Sequence, residues 1–321
     1  MNNLTLRVKR MGAQLQAILL VATMAAMLGF TGNMLGGPSM ALFVSAAVIA
    51  LYGLQPLLAP RLMLHIAGGR PLAPSEAPDL HRIVRELARK AGLSARPQVY
   101  YLPGEVMNAF TVGTGSQAVI GVTDGLLRHL HRDEVAAVLA HEIAHLQNND
   151  TRVMGFAAML TQLIQGLSFF GQLLLLVNLP LILTGQHLLS MSGILMLILT
   201  PYAGFLLQMA LSRSREYLAD MEAATLLESS HPLVSALVKI ERHNHRLKRR
   251  FLRWPMAELP SGSLLRTHPP TRERVRRLMA IEAGSGHPEV LPARPATFSQ
   301  LYRLRHLNAH LDQCRRYGLC H

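Results

Sequence analysis

No Asp, Glu, Lys or Arg occurs from Met11 to Pro60 or from Val153 to Ser212, two charge-free stretches of 50 and 60 residues. About 20 apolar residues cross the hydrocarbon core of a bilayer at roughly 1.5 Å of rise per residue, so each stretch is too long for one crossing and fits two. In the first, Ala13 to Phe30 and Met40 to Leu58 are separated by Thr31-Gly32-Asn33 and Gly36-Gly37-Pro38, residues that interrupt helices. In the second, Gly155 to Leu179 and Leu188 to Leu211 are separated by Pro180 and Thr184-Gly185-Gln186-His187. The competing reading, buried helices of a large soluble protein, requires charge-free helices longer than buried ones usually run. The 32 basic and 19 acidic residues occupy the remaining 211 positions, about 24% of them, the density of a water-soluble domain. The chain reads as four transmembrane helices with soluble segments between and after them.

Orientation follows from the basic residues beside the spans, because cytoplasmic flanks hold the excess of Lys and Arg. Arg7, Lys9 and Arg10 precede the first span, Arg61 and Arg70 follow the second, and Arg152, Arg213 and Arg215 bracket the second pair; neither intervening loop has a Lys or Arg. The long hydrophilic segments are therefore expected on the cytoplasmic side. The first apolar run is long for a secretory signal and a second span follows directly, which reads as an uncleaved anchor. The net charge of +13, locally dense from Arg242 to Arg253, comes with no nucleic-acid motif and is expected to face anionic lipid headgroups instead. Cys314 and Cys320 form a C-x5-C-H ending that matches no common ligand spacing, and they read as free thiols in a reducing compartment.

Between the membrane pairs, Ser75 to Leu93 places Leu80, Ile83, Val84, Leu87 and Ala91 at helical spacing, with Pro78 in the first turn and Gly92 and Pro97 at the end. Short β-like runs follow at Gln98 to Leu102, Asn108 to Val112 and Ala118 to Val122, separated by Pro103-Gly104 and Gly113-Thr114-Gly115. The segment Arg132 to Asp150 has Asp133 and Glu134 in its first turn and an apolar face of Val135, Val138, Leu139, Ile143 and Leu146. Inside it lies His141-Glu142-Ile143-Ala144-His145.

Residues four apart on a helix share a face, so His141 and His145 can direct imidazole nitrogens at one metal ion about 2 Å away. Glu142, one residue round, can reach a metal-activated water without being a ligand, taking its proton and later delivering it to a leaving amine. With 15 His and 13 Glu in the chain, chance supplies about 0.03 such pentapeptides. Two histidines facing water would look the same, so a third ligand is needed. Glu216 and Asp220, four apart just after the last span, are candidates: one can ligate while the other orients a ligand histidine through its second nitrogen.

These residues resemble the membrane-embedded zinc metalloproteases of the HtpX type, relatives of the prenyl-protein (CAAX) endoproteases. The resemblance rests on His141-Glu142-Ile143-Ala144-His145 continuing into Asn148 and Asp150, and on Ser212-Arg213 followed by Glu216-Tyr217 and Ala219-Asp220. It also includes Asn108-Ala109-Phe110 and Thr267-His268-Pro269-Pro270. It covers about Met1 to Ala283, and Met107 stands where the family often has proline. It implies that His141, His145 and Glu216 bind one zinc ion per chain, that Glu142 is base and acid, and that Asp220 supports a ligand histidine. It further implies that Asn108, Ala109 and Phe110 form an edge strand offering backbone hydrogen bonds to an extended substrate, the alternative being a plain core strand. His268 would help stabilise the oxyanion, unless it is a proline-flanked surface histidine.

The expected protein is mainly α and integral to the membrane: four transmembrane helices plus an α-rich zincin-type catalytic domain with a small β-sheet. Its expected parts are an N-terminal transmembrane hairpin (1–60), a catalytic segment with the pentapeptide (61–152), a second hairpin (153–212), a catalytic segment with the third ligand (213–283) and a basic tail (284–321). The expected function is zinc-dependent endopeptidase activity (EC 3.4.24 type) on misfolded or membrane-associated polypeptides, in protein quality control at a bacterial inner membrane. The rival from another class is a non-catalytic membrane scaffold with a structural zinc. A transporter is a weaker rival, since within the two charge-free stretches His187 is the one ionisable imidazole.

Overall fold

Helix α1, Asn3–Leu54, is interrupted at Gly36 and Gly37, and the two limbs fold back on one another. Gly37 takes φ 69°, a left-handed conformation that strains any residue bearing a Cβ. A Cβ built on Gly29 would sit 3.6 Å from Ser45 Oγ, and one on Gly32 3.1 Å from Val44. In an unbroken helix, residues 16 apart would be about 24 Å apart, so the break reverses the chain. Thr31-Gly32-Asn33, expected to separate the limbs, is instead helical. Gly32 acts there as a missing side chain that lets the second limb approach, not as a helix breaker.

The computed structural model of the chain describes residues 3–54, 68–177, 179, 191–251 and 270–285. They fall into two units: those of 1–59 and 148–219 with Pro270, and those of 60–147, 220–260 and 271–321. In the first unit α1 packs on a long helix, Asp150–Val177, which pairs with another, Met191–Leu227. A Cβ on Gly171 would meet Leu197 and one on Gly204 would meet Ile164, so the partners step in opposite directions and the helices are antiparallel. The core of this unit is Ala17, Met24 and Leu28 of α1 against Phe156, Ala157, Leu160, Ile164 and Leu211. Phe43, Ile49, Phe169, Phe170, Leu176 and Phe205 are exposed, as a lipid-facing surface requires. Thr31, Thr161 and Thr200 donate to carbonyls four residues back, so their hydroxyls are satisfied inside their own helices. Among the described residues, three helices are long and apolar enough to cross a membrane: Arg7–Leu54, Asp150–Leu176 and Leu195–Leu227. The first contains the break.

The second unit begins with strand β1, Arg70–Pro71, and helix α2, Pro78–Lys90, which buries Leu80, Ile83, Val84 and Leu87 as its periodicity predicts. Gly92 at φ 69° ends it, with the Leu93 N–H returning to the Ala88 carbonyl at 3.0 Å. Strands β2, Gln98–Leu102, β3, Ala109–Val112, and β4, Val119–Thr123, join β1 in a sheet of order β1-β2-β4-β3. Only β2 and β4 are parallel; β3 runs antiparallel to β4 and lies at the sheet edge. A short helix α3, Asp124–His129, leads into α4, Arg132–Gln147. The two long apolar helices then follow as α5 (Asp150–Val177) and α6 (Met191–Leu227), succeeded by α7, His231–Phe251, and α8, Thr271–Ser285. One apolar cluster unites α2, the sheet, α4 and α7, with Leu139 and Ile143 of α4 fully buried within it. Glu282 of α8 accepts from the Ser230 N–H at 2.7 Å, tying α8 to the start of α7.

Candidate metal centre

Helix α4 is fixed at its start by Glu134. One carboxylate oxygen accepts from the His131 N–H at 2.8 Å, closing the first turn, while Ser235 and Lys239 of α7 reach the carboxylate at 2.6 and 2.7 Å. Burial raises the pKa of Glu134, but the hydrogen bonds from Lys239, Ser235 and His131 outweigh it, and the net shift is downward. Two turns on, His141, Glu142 and His145 are all buried. His141 Nε2 lies 3.1 Å from His145 Nε2, with the rings edge to face.

The other nitrogen of His141 has its own partner. Nδ1 is 3.0 Å from Asp220 Oδ1, so it carries the proton and leaves the Nε2 lone pair directed at His145. Asp220 is gripped in turn by Arg274 of α8, whose Nε and Nη2 donate to its two oxygens at 2.7 and 2.6 Å. The same Nη2 is 3.4 Å from both His141 nitrogens, so the guanidinium lies against the imidazole as well as on Asp220.

Asp220 stands on α6, which continues without a break through the motif that begins at Ser212. One helical turn before it comes Glu216, fully buried. His141, His145 and Glu216 each offer one ligand atom, and these atoms lie within 4.8 Å of one another. Two nitrogens bound to one zinc at tetrahedral angles are about 3.3 Å apart, close to the separation of the two Nε2 atoms. Two imidazoles and a carboxylate are a donor set that catalytic zinc uses, with a fourth position left for water or substrate. The residues fit the ion.

Residues 74–282 match the model of peptidase family M48. The chain belongs to that family. It is 36% identical to the protease HtpX homolog of Pyrococcus abyssi over 287 residues, 85% of this chain and 98% of that one. The homologs of Pyrococcus furiosus and Salinibacter ruber are each 35% identical, over 84% and 81% of this chain and 96% and 94% of theirs. A solved structure titled Crystal Structure of S. mikatae Ste24p aligns with a TM-score of 0.42 at 22% identity, covering 85% of this chain and 66% of that one. The M48 chain is an integral membrane metalloprotease by family and by its apolar helices.

The remaining anticipated residues of this M48 chain divide by position. Ala109 and Phe110 lie on β3, the edge strand, which packs beside α4. Asn108 precedes it, its N–H donating to Thr123 Oγ1 and its carbonyl accepting from the Thr123 N–H, at 2.9 and 3.0 Å. His268 lies outside the described residues. Three features were missed. Arg274 sits on the buried stripe of α8 with Leu278 one turn on, and a basic residue at an apolar-stripe position was the available signal. Asn244 of α7 clamps Met107, its amide oxygen accepting from the backbone N–H and its nitrogen donating to the carbonyl, both at 3.0 Å. A proline at 107 would remove the first of these bonds, so the departure from the family pattern has a structural use here. Buried Arg215 pairs with buried Asp150 at 3.2 Å and donates to the Ala13 carbonyl at 3.1 Å, fastening α6 to α5 and α1 one residue before Glu216.

Proposed function

We propose that this chain is a zinc-dependent endopeptidase that cleaves misfolded or membrane-associated polypeptides, in membrane protein quality control. The observation that carries this reading is the convergence of His141, His145 and Glu216, with Glu142 buried on the same helix as the histidines. One zinc ion per chain held by His141, His145 and Glu216 would supply Lewis acidity there, lowering the pKa of water toward about 7 and polarising a scissile carbonyl. Glu142 takes the proton of the attacking water and passes it to the leaving amine, so that one carboxylate serves as base and then acid. Asp220 holds the Nδ1 proton of His141 and thereby keeps Nε2 available to the metal, and Arg274 fixes the Asp220 carboxylate. Asn108, Ala109 and Phe110 present the sheet edge to an extended substrate backbone, an arrangement supported by the terminal place of β3 and its packing on α4. His268 is assigned to the developing oxyanion.

Four membrane crossings, two in each charge-free stretch, put the catalytic segments on the cytoplasmic side of a bacterial inner membrane. The broken helix α1 and the antiparallel α5 and α6 support that count. The basic face beside the spans meets anionic lipid headgroups, and nucleic acid is not a partner. Purified protein with zinc is expected to cleave unfolded casein, and Glu142→Gln to abolish cleavage while retaining the metal. Full activity in that variant would defeat the mechanism. Stoichiometric zinc with no cleavage by the wild type would instead favour a scaffold in which the ion staples two helices.

A further inference from the structure

The middle of α5 carries a side chain that hydrocarbon does not solvate. Gln165 is twelve residues from Val153 and twelve from Val177, about 18 Å from either end of the charge-free helix. A bilayer that accommodates α5 therefore holds this amide near mid-depth, far from headgroups and water. Gln165 is exposed, and among the described residues no hydrogen bond reaches its amide. A primary amide left so in hydrocarbon is costly, and the cost disappears when a partner supplies a donor or acceptor.

Gln172, two turns further along, is accounted for within the fold. Pro201 in α6 has no N–H, which deprives the Leu197 carbonyl of its helical partner. Gln172 Nε2 donates to that carbonyl at 3.3 Å, closing the gap across the helix pair. Beside this repair lies a notch of about 300 Å³, lined by Gln165, Phe169, Gln172, Ile198, Pro201 and Tyr202. The notch thus combines an apolar and aromatic wall with one amide that the fold does not use.

We propose that the notch is an intramembrane docking site for a transmembrane polypeptide segment bearing a polar, uncharged side chain near its middle, which pairs with Gln165. A lipid acyl chain offers no hydrogen bond to the amide. A second copy of this chain could pair Gln165 with Gln165, but two facing notches would both stay unfilled, so it fits the amide and not the wall. That the docked segment is a substrate rests on the endopeptidase reading, for which the site would select membrane proteins with exposed polarity in a span, a hallmark of failed assembly in hydrocarbon.

The test uses full-length Glu142→Gln protein in phosphatidylcholine–phosphatidylglycerol vesicles, with a photo-crosslinking phenylalanine analogue in place of Tyr202. Two single-span Leu/Ala peptides are compared, one with Asn at its centre and one with Leu there. The Asn peptide is expected to crosslink at least about five-fold more, and Gln165→Leu to erase the difference. That substitution removes an unsatisfied amide from hydrocarbon, so the fold is not expected to suffer from it. Equal yields from the two peptides, a preference that survives Gln165→Leu, or adducts confined to lipid or to a second copy would overturn the proposal. Because crosslinking is read in a variant without turnover, selective crosslinking by a chain whose wild type never cleaves casein would keep the docking site and reject the endopeptidase reading alone.

Discussion

Asp220 engages two residues through two oxygens, taking the His141 Nδ1 proton on one and the Arg274 guanidinium on both. A carboxylate there determines which nitrogen of His141 carries hydrogen, and an amide would not hold it with the same strength. Asp220→Asn is expected to weaken zinc binding by roughly 10–100-fold, the usual cost of removing such a supporting group. Competition with a chromophoric chelator reads the change, and unaltered affinity would remove Asp220 from this role. A different residue pair governs stability. Arg215 and Asp150 are both buried, so Arg215→Ala removes the buried carboxylate's ion-pair partner and is expected to cost about 3–5 kcal/mol. Replacing both by apolar residues of similar volume should cost much less, and thermal unfolding of the two variants in detergent compares them. Equal losses would mean that the ion pair is not what holds α6 to α5.

Among the elements, the helices were legible because their apolar positions recur at helical spacing: α2 and α4 bury the residues that the pattern selects. Strands β2, β3 and β4 lie within one residue of the expected runs, but their order in the sheet, with β4 between β2 and β3, depends on long-range pairing that local patterning does not encode. Likewise the four-residue spacing of Glu216 and Asp220 was visible, whereas Arg274, the second partner of Asp220, comes from a helix far along the chain. Local sterics give a sharper expectation at Gly125, in the first turn of α3. A Cβ there would approach the Glu105 carbonyl carbon to 2.6 Å, a clash with backbone that no rotamer relieves. Gly125→Ala is therefore expected to destabilise by about 1–3 kcal/mol, as overpacking does, and an unchanged melting temperature would show that the loop yields freely. Glu134 supplies a pH signature for the α4–α7 junction. Its folded pKa is depressed, so its contribution is present above the ordinary value of 4.5 and is lost as pH falls below that through the lowered folded value. Glu134→Gln should reduce stability at neutral pH and flatten the acid limb of the stability profile; parallel limbs in the two proteins would contradict the assignment.

For the whole molecule, the proposed layout interrupts the soluble parts with membrane at each of the two charge-free stretches, so that Glu216, the proposed third ligand, follows the second of them. The proposed four-span topology predicts that a cysteine placed at Gly185 is labelled from the side opposite to one at Asp312; labelling of both from the same side would contradict that topology. On the proposed function, two imidazoles and one carboxylate from segments far apart in the chain meet at a common ion. Metal analysis of purified wild type beside His141→Ala and Glu216→Ala decides whether they do. About one zinc per chain is expected in the wild type, with most of it lost in each variant; full zinc occupancy retained by Glu216→Ala would remove that carboxylate from the site.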